Sequence, residues 1–142
     1  ENLRDLARGI YPPLLADQGL GAAVRAQAGR APLPVRVEAD GIDRYRRDAE
    51  ATTYFCIMEA LQNVAKYARA SCAKVALSCP DGHLEFTVTD DGDGFDTAMP
   101  TPGTGLQGMA DRLAAAGGTL DIRSAPGLGT TISGRLPAGE PA

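Results

Sequence analysis

The stretch "EALQNVAKYA", Glu59 to Ala68, lies inside a helical pattern running from about Asp48 to Ala70, and the placement of its polar residues governs how the rest of the chain is read. At about 100° per residue, Tyr54, Ile57, Met58, Leu61, Val64, Ala65 and Ala68 form one broad apolar arc. Glu59, Asn63, Lys66 and Tyr67 stand opposite it. The wet face of an amphipathic helix is enough to account for a Glu and a Lys there. It does not account for Phe55 and Cys56, which flank the polar arc and are residue types that seek burial. Something therefore covers part of that face.

Upstream of this helix, "ENLRDLARGI" at 1–10 carries Leu3, Leu6 and Ile10 at helical spacing and is stopped by "YPP" at 11–13. A second helical pattern covers Leu20 to Ala28, and "PVRVEAD" at 34–40 alternates Val35, Val37 and Ala39 as a half-buried strand does. Downstream, "CAKVALSC" (72–79) and "HLEFTVTD" (83–90) read as an antiparallel hairpin closed by "PDG", where Pro presets φ and Gly supplies φ > 0. A Gly- and Pro-rich stretch from Gly92 to Gly105 follows. Leu106, Met109, Leu113 and Ala114 then repeat at helical spacing until Gly117 and Gly118 end the helix. Two further strands, "TLDIRS" (119–124) and "TTISGRL" (130–136), flank the turn "APGLG", and "PAGEPA" reads as a frayed tail.

Strands joined by tight turns, with helices grouped apart from them, predict an α+β two-layer sandwich: one mixed sheet with helices on a single face. A doubly wound parallel fold would need regular strand-helix alternation, which is absent. At 142 residues the chain suits one domain with a core of its own. Its 44% hydrophobic and 23% charged residues are those of a globular protein, and a net charge of -4 offers no basic footprint for nucleic acid. Cys56, Cys72 and Cys79 are odd in number and lack C-x-x-C spacing, which predicts reduced thiols in a cytoplasmic setting rather than disulfides or zinc. No apolar run reaches the roughly 20 residues that span a bilayer, and no signal-peptide core opens the chain. The chain begins without Met inside a helical pattern, and so reads as a segment of something longer.

Glycines cluster in "DDGDGF" (90–95), "GTGLQGM" (103–109) and "GLGTT" (127–131). Each box could be no more than a turn, a strand exit or a loop before a helix. "GTGLQGM" matches G-x-G-x-x-G, but the dinucleotide fingerprint needs a strand immediately before it, and a Pro-containing loop stands there instead. No G-x-x-x-x-G-K-[ST] run exists, which excludes a P-loop. Gly105 and Gly108 do open a helix, whose free N–H groups and positive dipole end favour phosphate. Asp90 closes the apolar alternation of Leu84, Phe86 and Val88, where a carboxylate can accept a hydrogen bond from an exocyclic amino group or simply start a turn.

In order along the chain, "EALQNVAKYA", "DDGDGF", "GTGLQGM" and "GLGTT" resemble the ATP-binding catalytic domain of sensor histidine kinases, from about Asp48 to Leu136. The resemblance implies the Bergerat fold shared with gyrase, the Hsp90 chaperones and MutL: a mixed, mostly antiparallel sheet with ATP held between it and the helices under a lid. It also implies that the polar arc is the floor of that nucleotide site. Asn63 would bind the Mg²⁺ that bridges the phosphates, Glu59 would be the general base, and Lys66 would face phosphate. Tyr67 stands where the related subfamily often has His, beside phosphate or ribose. Asp90 would bond the adenine amino group with Thr130 supporting it through hydroxyl or water, and Gly92 and Gly94 would admit the base. Gly103, Thr104, Gly105, Leu106, Gly108 and Met109 would form the phosphate loop and nucleotide contacts, with a short lid at about Asp96 to Pro102.

The N-terminal "LRDLARGIYPPLLADQGLGAAV" resembles the end of the dimerisation and phosphoacceptor region in kinases paired with LuxR/NarL-type response regulators. It implies three segments: that region and its linker over 1–20, the ATP-binding domain over 21–138, and a tail over 139–142. The implied partners are ATP/ADP, the phosphoacceptor helix of the same kinase and the response regulator, with a homodimeric parent and a monomeric fragment. His83 sits beside the "PDG" turn without an acidic helical neighbour and reads as a surface residue rather than the phosphoacceptor. An anti-sigma-type Ser kinase of the same fold is the alternative; such regulators begin at the ATP domain, so the N-terminal segment argues against it.

Overall fold

The computed structural model describes residues 13–39, 41–96 and 105–139. The stub at 1–10, the residues 97–102 of the expected lid, Gly103, Thr104, the last three tail residues and the side chain of Tyr67 lie outside the described residues. In chain order the elements are α1 (Pro13–Gln18), α2 (Leu20–Ala28), β1 (Val35–Glu38), α3 (Arg47–Asn63), a π-helical turn (Val64–Ala68), β2 (Ala73–Ser78), β3 (His83–Asp90), α4 (Leu106–Ala115), β4 (Thr119–Ser124) and β5 (Thr130–Pro137).

The strands form one sheet in the order β1-β2-β3-β5-β4. β1 runs parallel to β2 and every other neighbour is antiparallel, so the sheet is mixed and mostly antiparallel, as expected. Period-2 alternation turns one side chain of each pair inward. Val75 and Leu77, then Leu84, Phe86 and Val88, then Ile132 and Leu136 are all buried. The outer face is polar, tied across strands by Arg135–Glu85 at 3.0 Å and Lys74–Glu38 at 3.1 Å. Helices α2, α3 and α4 contact one another and the sheet, which gives two layers around a single core.

Helix α3 is the spine of the helical layer. Thr53 through Met58 are buried without interruption, so both its apolar arc and the flanking Phe55 and Cys56 are covered. The cover over Phe55 is α4, whose Arg112 guanidinium lies 4.0 Å from the ring centroid. Burial also pushes the Cys56 thiol up to about 12, leaving it an inert core group.

The periodicity predicts one helix to about Ala70, but the α-helix ends at Asn63 and a single π turn follows, closed by Arg69 in the left-handed conformation at φ 52° and ψ 40°. A π turn holds more residues than an α turn, so arcs drawn at 100° fail beyond Asn63. Ala65, placed by its spacing in the apolar arc, is exposed.

Residues 13–20, read from the sequence as the end of a linker, are packed into this core: Leu15 and Leu20 are fully buried. The connection is polar as well as apolar. The Arg44 Nη2 donates to the Ala16 carbonyl oxygen of α1 at 2.9 Å, and its Nε pairs with Glu50 Oε2 of α3 at 3.3 Å. Glu50 is only 1% exposed, and the same Oε2 accepts the Tyr45 backbone N–H at 3.1 Å.

Candidate functional site

The C-terminal end of α3, the exit of β3, the N-terminal end of α4 and the start of β5 all meet at one end of the sandwich. Glu59 and Asn63 lie one helical turn apart on the same side of α3, both half-buried. Gly105, just before α4, has φ +75°, and a Cβ there would collide with the Glu59 carboxylate. A bare backbone is thus what lets the start of α4 close over Glu59. Burial raises the Glu59 carboxyl above the ordinary range, against the opposing charges of Lys66 and Arg112. The Asn63 side chain makes no cap hydrogen bond to the π turn that follows it. Lys66 is exposed within that turn.

At the other side of this end, Asp90 is 8% exposed. Its Oδ1 accepts the Gly92 N–H at 2.8 Å, and Thr130 is its partner in the β3–β5 ladder. Burial nevertheless raises its pKa; the Gly92 amide opposes that, the Asp91 charge adds to it, and the Thr130 amide opposes it. A buried carboxylate held by a backbone amide two residues on is an oriented acceptor with lone pairs to spare. Thr130, expected to support Asp90 through its hydroxyl or a water, pairs with Asp90 in the ladder, and its hydroxyl stands 2.8 Å from that of Ser124.

The loop after Asp90 is stitched on both sides. Gly92 runs so close to the Ala68 carbonyl that a Cβ would overlap backbone. The Asp93 N–H donates to that same carbonyl at 2.6 Å, and the Asp93 carbonyl accepts the Gly127 N–H at 2.5 Å. Gly94 abuts the Ala125 carbonyl, and Gly129 abuts that of Asp90. The π turn therefore serves as one wall of the loop, and the β4–β5 turn as the other.

Of the remaining expected residues, Gly108 is exposed with open space around it and Leu106 is half-buried against the core. Met109 is fully buried and seats α4 on the core. Among the described residues no group of three or more His, Cys, Asp or Glu is placed to hold a metal ion, and no helix is long and apolar enough to cross a membrane.

Two features had no signal in the sequence. Ser124 looks like any polar strand end, yet its hydroxyl contacts three groups around Asp90. Asp91, beside Asp90, is bound to the start of β2: it accepts the Ser71 hydroxyl, the Ser71 N–H at 2.8 Å and the Cys72 N–H at 3.1 Å. These donors, the Ser71 hydroxyl first, hold its carboxyl down at about 2. Adjacent carboxylates are thus driven in opposite directions by their surroundings.

Because the folded pKa of Asp91 lies below its unfolded value, the stability it contributes is whole above about pH 4 and fades as pH falls toward about 2. Asp91→Asn is expected to be less stable than the unsubstituted chain at neutral pH, with the gap closing through that window. Denaturant unfolding at a series of pH values checks it; a gap independent of pH would refute the assignment.

A family model described as "Histidine kinase-, DNA gyrase B-, and HSP90-like ATPase" matches residues 48–140. The sensor histidine kinase MctS of Rhizobium johnstonii is 33% identical over 146 residues, covering 96% of this chain and 32% of that protein. The oxygen sensor histidine kinase NreB of Staphylococcus carnosus is 28% identical over 144 residues, covering 96% of this chain and 42% of its own. The chain thus spans less than half the length of these curated relatives. Among solved structures, the blue-light activated histidine kinase of Erythrobacter litoralis EL346 aligns over 96% of this chain and 45% of its own with a TM-score of 0.69 and 25% identity.

Proposed function

We propose, from the premise that this chain belongs to the histidine kinase-, DNA gyrase B- and HSP90-like ATPase family, that it binds Mg-ATP at the end of the sandwich carrying Glu59, Asn63 and Asp90. On this reading it is the catalytic part of a sensor histidine kinase, delivering the γ-phosphoryl group to a histidine on a phosphoacceptor helix of the same kinase. The observation that carries the reading is the convergence itself: a raised, half-buried carboxylate one turn from an amide at one side, and a buried, amide-held carboxylate at the other. Alignment of sensor kinases along 96% of the chain, well beyond residues 48–140, favours it over the anti-sigma-type alternative.

Phosphoryl transfer asks a protein chiefly for positioning and charge neutralisation. Asp90 would accept a hydrogen bond from the adenine amino group, with Gly92 and Gly94 leaving room for the ring. Gly105 and Gly108 would present N–H groups to phosphate, with Leu106 beside them, and Lys66 would add a positive charge. The Asn63 side-chain oxygen suits Mg²⁺, a hard cation that takes few protein oxygens and keeps its waters; when bound, the ion offsets phosphate charge. Glu59, with its raised proton affinity, would take the imidazole N–H proton as the phosphorus–nitrogen bond forms and ADP departs. A LuxR/NarL-type response regulator as the next acceptor, a homodimeric parent and a cytoplasmic site of action complete the proposal.

Calorimetric titration with ADP and GDP, each with and without Mg²⁺, tests it. ADP is expected to bind in preference to GDP and more tightly with Mg²⁺. Asp90→Asn should weaken ADP by about tenfold to a hundredfold, the worth of a hydrogen bond to a charged acceptor. Equal affinity of the two nucleotides, or an Asp90→Asn variant that binds ADP unchanged, would refute base recognition by Asp90.

A further inference from the structure

We infer that Ser124 is a positioning residue of the base end, pinning the loop that leaves Gly94 to the residue pair that holds Asp90. Its hydroxyl stands 2.8 Å from the Phe95 N, 2.8 Å from the Thr130 Oγ1 and 3.0 Å from the Gly129 carbonyl oxygen. A serine hydroxyl has one proton and two lone pairs. Donation to Gly129, with acceptance from Phe95 N–H and Thr130 O–H, uses all three at once. Ser124 is therefore a saturated three-way joint, placed at the last residue of β4.

Each arm of the joint ends on the base site. Phe95 continues directly from Gly94. Thr130 pairs with Asp90 in the β3–β5 register. Gly129 lies against the Asp90 carbonyl. Without the hydroxyl, the Phe95 N–H loses this acceptor, while the ties from Asp93 to Ala68 and Gly127 remain. The hydroxyl touches no reacting atom; it acts by holding two walls at one separation.

The inference rests on the nucleotide reading above, and the test separates the two. ADP and GDP affinities are measured by calorimetry for the unsubstituted chain, Ser124→Ala and Ser124→Thr, and amide exchange is followed by NMR. Ser124→Ala is expected to weaken ADP by up to about tenfold, the range for one hydrogen bond, and to narrow the preference over GDP. Ser124→Thr, which keeps the hydroxyl, should restore both. Exchange at Phe95 should quicken in Ser124→Ala while the Val88 and Ile132 amides keep their protection, a local change that general destabilisation would not produce.

Unchanged ADP affinity in Ser124→Ala, or equal weakening in Ser124→Thr, overturns the positioning role and leaves nucleotide binding standing. A Phe95 amide that exchanges freely in the unsubstituted chain overturns it without any variant. An unsubstituted chain that binds no ADP removes both readings together.

Discussion

Asn63→Ala is expected to bind ADP equally with and without Mg²⁺, having lost the whole metal-dependent part of its affinity, while its helical circular dichroism stays that of the unsubstituted chain. Asn63 is the last residue of α3, half-buried, one turn beyond Glu59, and its side chain does not cap the π turn that begins after it. An amide at a helix end usually finds backbone to bind; this one stands ready for an external partner. A single neutral oxygen is also a fitting ligand for an ion that brings its own waters and shares phosphate oxygens. Calorimetry would show Mg²⁺ tightening ADP by about tenfold or more in the unsubstituted chain. Loss of helical signal in Asn63→Ala would return the residue to a structural role, and retained Mg²⁺ dependence would move the ion elsewhere.

Arg44→Met should cost about 1–2 kcal/mol of unfolding free energy, less than the roughly 3 kcal/mol lost when one member of a fully buried ion pair is removed, because the Arg44 side chain is itself 35% exposed. The loss arises less from the missing attraction than from what stays behind: Glu50, at 1% exposure, would keep its other partners but lose a charged one. The substitution also takes away the donor to the Ala16 carbonyl, and with it the polar tie between α1 and α3. Arg44→Met/Glu50→Met removes the stranded charge as well, so it should be more stable than the single variant despite carrying two substitutions. Urea unfolding of the three chains decides the matter; simple additivity would mean that the pair is not coupled.

The antiparallel strands were legible because their signals are local: alternation in "HLEFTVTD" and Pro-Asp-Gly chemistry before it. The parallel pairing of β1 with β2 was not, since nothing in "VRVE" states which neighbour it will take. The π turn was hidden because composition carries no mark of it. At the site, Glu59, Asn63 and Asp90 could be read through the order of their boxes. Ser124 and Arg44 could not, because their partners lie far along the chain: Phe95 is 29 positions from Ser124, and Ala16 is 28 from Arg44. Glu50 looked like an ordinary acid in a helix's first turn, where the dipole alone explains it. The burial of Met109 was legible in another way, since its helical spacing with Leu113 marks both as core.

The pairing of β3 with β5 joins residues from forty positions apart (90 with 130) to fifty-four (83 with 137). Contacts of such range are slow to form, because chain entropy is lost before they reward it. Asp90 and Thr130 sit at the end of that ladder, so the corner proposed to read the base does not exist in a partly folded chain. A nucleotide bound there therefore counts only toward the native state, adding about 2.7 kcal/mol at a hundred times its dissociation constant. In a cell that keeps the site saturated, the lifetime of this chain against unfolding and proteolysis would follow its ligand as closely as its core.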